Sequence, residues 1–435
     1  MIRTNINEFN ERFIGNIIQS NNQRKAEFEE NWEMYLNSKE TEYDPDLNKI
    51  KPCISAPYCS YIVDFLSNYV VGNAITYSVN DERYQDLINK VMDNNEEDYK
   101  NNQIAIRQGA QGAAFEIVYF DEETKEIKFD RVNAEEMILV FDTSINPKLK
   151  LAIRDYQVEN PFTKKETFHV EVYGKDSTKY YTRSGNNLKL DQEIINPFSE
   201  IPVIYYPANE DEKPDFQKVK QQIKAYTKRI TNNSEEIDYT KNAYLYVAGL
   251  DLSENVYNEK DEVIGTKADL IKKQGIINIP NPAMDSACEV KFITKDVNDQ
   301  FIENELNRLN QDIHKFSGIP DLNDKQFAGN SSGVALEQKF MGLEQKAKEK
   351  ETLLKRGLIK RLKLITEGLS LLGEGSFDYK SVRINFTFNK PIDETSLVDN
   401  AIKLQPVLDD KANFGRLPQV EDVNVDLKDN TNIEK

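Results

Sequence analysis

Gly329-Asn330-Ser331-Ser332-Gly333 is the stretch whose spacing matches a catalytic motif, the G-x-S-x-G turn that lifts a hydrolase nucleophile out of a sheet. That chemistry needs a buried apolar strand ahead of the serine and a histidine after it in the chain to act as base. Residues 323–327 are polar, and both histidines, His169 and His314, precede Ser331. Ser331 and Ser332 are better suited to capping, a hydroxyl accepting from amides left open at the start of a following helix. No catalytic residue is assigned.

Other chemistries fail on their spacing. Asp321-Leu322-Asn323-Asp324-Lys325 opens like a calcium loop, but Gln326 stands at the sixth position where glycine is needed, and Ser332 replaces the bidentate glutamate. No P-loop, G-x-G-x-x-G or H-E-x-x-H occurs, so phosphate cradling and zinc hydrolysis have no basis. Cys53, Cys59 and Cys288 show no C-x-x-C spacing and leave one thiol over in any pairing, which points to reduced cysteines, cytoplasmic synthesis and no structural metal. No cofactor is expected.

Two basic clusters remain. Lys355-Arg356-Gly357-Leu358-Ile359-Lys360-Arg361-Leu362-Lys363 is the densest, and it reads as a solvated helix face before it reads as a contact for phosphate, membrane or another subunit. Lys218, Lys220, Lys224, Lys228 and Arg229 share one helix face. They either solubilise it or pair with Asp299, Glu303 and Glu305 of a second helix, in the same copy or an adjacent one, and pairing is the favoured half.

The elements that carry these groups follow from periodicity. Residues 6–38 hold Phe9, Phe13, Ile17, Phe28, Trp32 and Tyr35 at helical spacing with a break near Ser20-Asn21-Asn22, and residues 61–72 form a helix stopped by Gly72. A strand at 75–79 and a polar helix with Tyr84, Leu87, Ile88 and Val91 come next. From 113 to about 204 the pattern becomes short strands (114–120, 127–132, 137–141, 151–156, 167–173, 179–182, 203–205), a sheet with one buried face. Pro214 opens a helix to about 242, strands and turns fill 243–294, and a second helix over 296–316 stops at Gly318 and Pro320. A polar loop then leads into a helix of about forty residues with the apolar stripe Leu336, Phe340, Leu343, Ala347, Leu354, Leu358, Leu362, Ile365, Leu369 and Leu372. A strand at 382–388, a short helix near 397–404 and a polar acidic end complete the chain.

At 435 residues the chain exceeds what one core fills, so at least two compact regions, or one with insertions, are expected. Hydrophobic residues make up 39% and charged residues 30%. The net charge of −18 argues against tight, extended gripping of a phosphate backbone. Residues 1–8 lack an apolar core, and no apolar run approaches the roughly 18 residues a spanning helix requires, so a soluble protein without a membrane role is expected.

The order of these elements and several strings resemble the portal proteins of tailed bacteriophages, of the siphophage type. The strings are Asn68-Tyr69-Val70-Val71-Gly72-Asn73-Ala74-Ile75, Gly112-Ala113-Ala114-Phe115-Glu116-Ile117-Val118-Tyr119, Ile201-Pro202-Val203-Ile204-Tyr205-Tyr206, Ser317-Gly318-Ile319-Pro320-Asp321 and Gly329-Asn330-Ser331-Ser332-Gly333-Val334-Ala335-Leu336, within a resemblance that covers about 60 to 405. The resemblance implies an α+β portal fold. Its strand-rich wing is 1–213 together with 332–404, which includes the long wing helix; 214–242 and 295–317 are stem helices, 243–294 is a small α/β clip insert, and 318–331 is a tunnel loop. The family usually continues into a helical crown; here 405–435 is weakly apolar, so the crown is expected to be reduced, absent or disordered.

The function implied is a ring of about twelve copies at the capsid vertex, through which double-stranded DNA is packaged and ejected. The resemblance makes Lys325, Gln326, Asn330, Lys218, Lys224 and Lys228 candidates for the channel wall, and Asp251, Glu254, Glu259, Lys260 and Asp261 candidates for docking terminase or adaptors. Its implied partners are other copies of the chain, DNA without sequence preference, the terminase large subunit, head-completion proteins, and the major capsid and scaffold proteins. Assembly in the host cytoplasm and residence in the virion follow. Two alternatives are a cytoplasmic serine hydrolase using Ser331 and a helical scaffold, which particle size separates from a closed ring.

Overall fold

The computed structural model describes residues 2–6, 8–39, 41–44, 49–240, 244–248, 253, 255–257, 263–266, 269, 289–293, 299–322 and 333–389. The chain divides into two compact units, one of Met1–Lys39, Pro57–Ile223 and Gln311–Lys435, the other of Glu40–Ala56 and Lys224–Asn310.

The larger unit begins with β1 (Ile2–Arg3), α1 (Glu11–Ser20) and α2 (Asn22–Leu36). The break expected near Asn21 is there, and Asn10 caps α1 by accepting from the Phe13 amide at 2.9 Å. α3 (Tyr58–Val71) is apolar over most of its circumference and is correspondingly buried. Then come β4 (Thr76–Ser78), α4 (Glu82–Asp93), capped by Asp81, and α5 (Glu97–Gln111). α5 has no counterpart in the periodicity reading. Its inward face carries Glu97, Asn101, Gln108 and Gln111, all buried, so the apolar signal that marks a helix is missing. α5 ends at Gly112, whose φ of 99° and close approach to the Glu212 carbonyl admit only glycine.

The strands are β5 (Ala113–Phe120), β6 (Ile127–Val132), β7 (Met137–Phe141), β8 (Leu149–Glu159), β9 (Glu166–Tyr173), β10 (Ser177–Ser184), β11 (Asn187–Ile195) and β12 (Val203–Pro207). They form a six-stranded sheet of order β1-β7-β8-β9-β10-β11 and a three-stranded sheet of order β12-β5-β6. The larger sheet is buried on both faces at its centre, not on one as its pattern suggests. Ile14, Ile17 and Ile18 of α1 cover Ile138, Val140, Leu151 and Ile153 on one side. On the other, Met137, Leu139 and Ala152 meet Phe115, Ile117 and Val203 of the smaller sheet, with Phe28 of α2. Strand alternation then turns Glu116 and Tyr206 to the far face of the smaller sheet.

In the smaller unit, β2 (Thr41–Asp44) pairs with β3 (Lys49–Pro52), β13 (Tyr244–Ala248) with β16 (Glu289–Ile293), and β14 (Asn255–Tyr257) with β15 (Val263–Thr266). Two long helices, α6 (Lys220–Thr240) and α7 (Asp299–Ser317), enclose the last four strands in sequence. The Thr231 hydroxyl lies 3.0 Å from the Ile54 amide and 3.2 Å from its carbonyl, tying residues 40–56 to α6.

The last elements among the described residues are α8 (Gly333–Leu371), close to the helix expected, and β17 (Arg383–Asn385), which pairs with β4. The strand expected over 382–388 is thus three residues long. Much of the expected strand and turn region 243–294 and the helix expected near 397–404 lie outside the described residues.

Candidate functional site

The basic segment of α8 is the feature its sequence pattern describes least well. It is neither a solvated face nor a phosphate contact along its length. Arg361 is fully buried, Lys360 donates to the Val203 carbonyl at 2.8 Å, Lys355 donates to the Ile384 carbonyl at 3.0 Å, and Lys363 pairs with Glu200. Arg356 is exposed. Because α8 packs on β12 along this stretch, residues spaced for a surface become residues that bind the helix to the sheet.

Arg361 is the centre of that attachment. Its Nε and Nη2 donate to the two carboxylate oxygens of Glu116 at 2.9 and 2.7 Å, a bidentate fork, while Nη1 donates to Glu97 at 3.0 Å and Asn101 at 2.8 Å. Tyr206 donates its hydroxyl to Glu116 at 2.8 Å, and Tyr77 donates to Glu97. The guanidinium also lies 4.4 Å from the Phe129 ring centroid. Burial opposes the charge on Arg361, but Glu116, the two tyrosines and Glu97 outweigh it, and the guanidinium is held well above its usual range. Burial raises Glu97, with Arg361, Tyr77 and Asn101 pulling the other way. The same burial, with Glu200 opposing it, brings Lys360 down to about 8. Helix and sheet approach closely here because Gly357 faces Tyr206, and a Cβ at that position would fall inside the tyrosine ring's contact shell.

Ahead of α8 in the chain, residues 318–322 are held by α7 and α3. Gly318 takes φ 69° and its amide donates to the His314 carbonyl at 3.0 Å. His314 Nδ1 lies 3.1 Å from the Ile319 carbonyl, and Nε2 lies 3.8 Å from Asp321. Tyr58 and Tyr61 set their rings edge-on to the imidazole, and the Tyr61 hydroxyl donates to the Pro320 carbonyl at 2.8 Å. Burial raises Tyr61. Nearby in sequence to the start of α6, Asp215 accepts from Lys350 of α8 at 2.9 Å, and burial lowers Lys346 despite Asp215. The motif Ser317-Gly318-Ile319-Pro320-Asp321 marks this junction, whereas the aromatic clasp around His314 carries no sequence signal, since Tyr58 and Tyr61 are distant in the chain.

Of the channel candidates, Lys218, Lys224 and Lys228 are exposed at the start of and along α6. Lys325, Gln326 and Asn330 lie outside the described residues, as do Ser331 and the docking candidates Asp251, Glu254, Glu259, Lys260 and Asp261. The pairing anticipated between α6 and α7 is present within one copy at Arg229, whose Nε lies 3.0 Å from Glu305. Lys220 turns inward instead, to Glu30 at 3.0 Å and Asn31 at 2.8 Å. Among the described residues no group of metal-ligating side chains forms, and no helix is long and apolar enough to cross a membrane.

The described residues form a mixed α+β protein in which two long helices flank, in sequence, an insert that contains strands, and a further long helix is bonded to a sheet. The chain belongs to the family of phage portal proteins described as SPP1 Gp6-like, whose profile matches residues 14–435. It is similar to the portal protein of Clostridium phage phiCD119, 24% identical over 391 residues that cover 85% of this chain and 82% of that one. It is also similar to the portal protein of Bacillus phage SPP1, 21% identical over 358 residues, 78% of this chain and 67% of that one. Solved structures that resemble it include a chain from the neck of an empty gene transfer agent particle, with a TM-score of 0.47, 10% identity and coverage of 84% and 91%. Another is from the native gene transfer agent virion, with a TM-score of 0.40, 10% identity and coverage of 83% and 89%. Members of the portal family are structural, non-enzymatic capsid components, and membership sets aside the hydrolase reading of Ser331. The protein is a component of the virion capsid.

Proposed function

We propose that copies of this chain close into a ring of about twelve around a channel for double-stranded DNA, used in packaging and in ejection. Residues 1–213 and 332–404 act as wing, 214–242 and 295–317 as stem, 243–294 as clip, 318–331 as the loop lining the tunnel, and 405–435 as a residual crown. The clip docks the terminase large subunit and later the head-completion proteins, with Asp251, Glu254, Glu259, Lys260 and Asp261 offering charged contacts. Wing surfaces meet the major capsid and scaffold proteins, and assembly takes place in the host cytoplasm.

The family match along residues 14–435 is the observation that carries this reading. The electrostatics support it. Duplex DNA bears one negative charge per about 1.7 Å of axis, so a strongly basic bore would hold it by counterion release, while a chain of net charge −18 lets it slide. Lys325, Lys218, Lys224 and Lys228, with Gln326 and Asn330 between phosphates, then act as sparse rings touching a moving duplex. Light scattering and negative-stain imaging of the purified chain test the proposal. A closed particle near 600 kDa, roughly twelve chains, with a central hole is expected, and a monomer under all solution conditions, or a hole too narrow for duplex, would overturn it.

A further inference from the structure

The chain leaves α7 through a compliant residue. Gly318 takes φ 69°, and a glycine adopts many backbone angles at little steric cost. Its amide closes the helix on the His314 carbonyl at 3.0 Å, a bond that ends α7 without fixing where the next residues go. After it the chain is stiff. Pro320 has a fixed φ, and a residue ahead of proline is biased to extended angles, which restricts Ile319. With one soft joint followed by stiff residues, whatever fixes the angles at Gly318 also fixes the course of the chain after it.

His314 spans that joint. Its Nδ1 lies 3.1 Å from the Ile319 carbonyl, and a carbonyl has no proton to give, so Nδ1 is the donor. The bond runs from a residue before the glycine to one after it, and so ties the two sides of the joint together. The imidazole is itself held. The Tyr58 and Tyr61 rings stand 6.0 and 5.6 Å from it, at 72° and 81° to its plane. Ser317 and Ile319 are buried on either side of Gly318, and the Ser317 hydroxyl accepts from the Ile319 amide at 3.2 Å. A Cβ on Gly318 would lie 3.6 Å from the Gly342 carbonyl and 3.6 Å from the Lys346 stem, so the joint also rests against α8.

We infer that His314 is a positioning residue, whose Nδ1–H locks the Gly318 joint and so sets the direction in which residues 318–322 leave α7. The lock is made within one copy. Its consequence rests on the ring reading above, in which residue 318 begins the tunnel loop: the same lock, repeated in every copy, gives each loop the same departure from the stem and so the same approach to the duplex.

Hydrogen exchange of the full chain, read by mass spectrometry on a peptide covering 316–322, tests the lock through the Gly318 and Ile319 amides. Three substitutions separate its causes. His314→Phe keeps an aromatic ring beside Tyr58 and Tyr61 but has no donor, His314→Asn keeps a donor at the δ position, and His314→Gln moves it to the ε position. Exchange in His314→Phe and His314→Gln is expected to be about fivefold faster than in wild type, the effect of one lost hydrogen bond, and close to wild type in His314→Asn. Wild-type exchange in His314→Phe would overturn the inference, and so would fast exchange in all three, which would show that the imidazole holds the joint by something other than Nδ1. Should His314→Phe lose the wild-type circular dichroism spectrum, His314→Asn against His314→Gln decides alone. Retention of DNA by assembled particles tests the consequence. His314→Phe and His314→Gln are expected to lose packaged DNA several-fold faster than wild type, and His314→Asn to keep it. Wild-type retention in all three, with the exchange series as expected, would overturn the role in the channel and keep the lock. Absence of rings in the wild-type protein would remove the ring reading and the channel role with it, while the exchange series still decides the lock.

Discussion

Arg361 serves two carboxylates at once, and its value lies in what its absence would leave behind. Arg361→Ala would strand Glu116 and Glu97 in a dry interior, and breaking a buried pair from one side costs about 3–5 kcal/mol. Urea unfolding should show a loss of that order. Replacing Arg361, Glu116 and Glu97 together by apolar residues of similar volume should recover most of it, because the expense lies in the unpaired charges. A loss below about 1 kcal/mol for Arg361→Ala would mean the fork does not bind helix to sheet. Lys360, one residue away, has a pH signature. Its ammonium gives up its proton near 8 in the folded chain but near the ordinary lysine value of 10.5 when unfolded. Between those values the unfolded state holds more protons, so stability rises with pH there and is lost as pH falls toward 8. The difference in unfolding free energy between wild type and Lys360→Met should climb over that window, and a flat difference would contradict the burial of Lys360.

At the scale of elements, α8 is a lever with glycines at defined contacts. Gly→Ala in a helix interior ordinarily gains up to about 1 kcal/mol from propensity. Gly357→Ala should do the reverse, lowering the melting temperature, because the new methyl meets the buried Tyr206 ring. Gly342→Ala, where a Cβ would meet Gly318 at an ordinary 3.6 Å, should be neutral or stabilising. If both variants melt above wild type, α8 does not lie on β12 as closely as described. Periodicity identifies α8 because its apolar stripe is long. It does not identify α5, because a helix that buries Glu97, Asn101, Gln108 and Gln111 looks like solvated chain until its partners are known. β11 escapes for a related reason, since Lys189, Asp191, Gln192 and Glu193 interrupt any alternation and the strand borrows its order from β10.

For the whole molecule, the proposed function is a property of copies acting together. On the proposed ring, Lys325 contributes one positive charge per copy beside the rings of Lys218, Lys224 and Lys228, and Lys325→Ala should reduce retention of packaged DNA while leaving ring formation unchanged. Packaging and retention assays on assembled particles read this directly, and wild-type values in both would show that the lysine ring has no such role. The acidic balance makes a general prediction of the same kind: adding lysines to the bore should slow passage, and more so at low salt, where phosphate contacts strengthen.

The amino-acid order alone determined most of the succession of helices and strands, though not α5 or β11, together with the break at Asn21, the stop after α7, and the absence of the motifs that nucleotide or zinc chemistry would require, since these depend on local spacing and on residue types near in the chain. It also carried the strings by which the family was recognisable. Tertiary structure alone decided what the charged residues are for. Arg361 and Arg356 stand five apart in one basic run, yet one is sealed against Glu116 and the other meets water, and Lys220 folds back to Glu30 while Arg229 reaches Glu305. A charge is equally compatible with solvent and with a buried partner until distant segments meet, because its free energy is set by the dielectric and the counter-charge around it, neither of which is written in its neighbours along the chain.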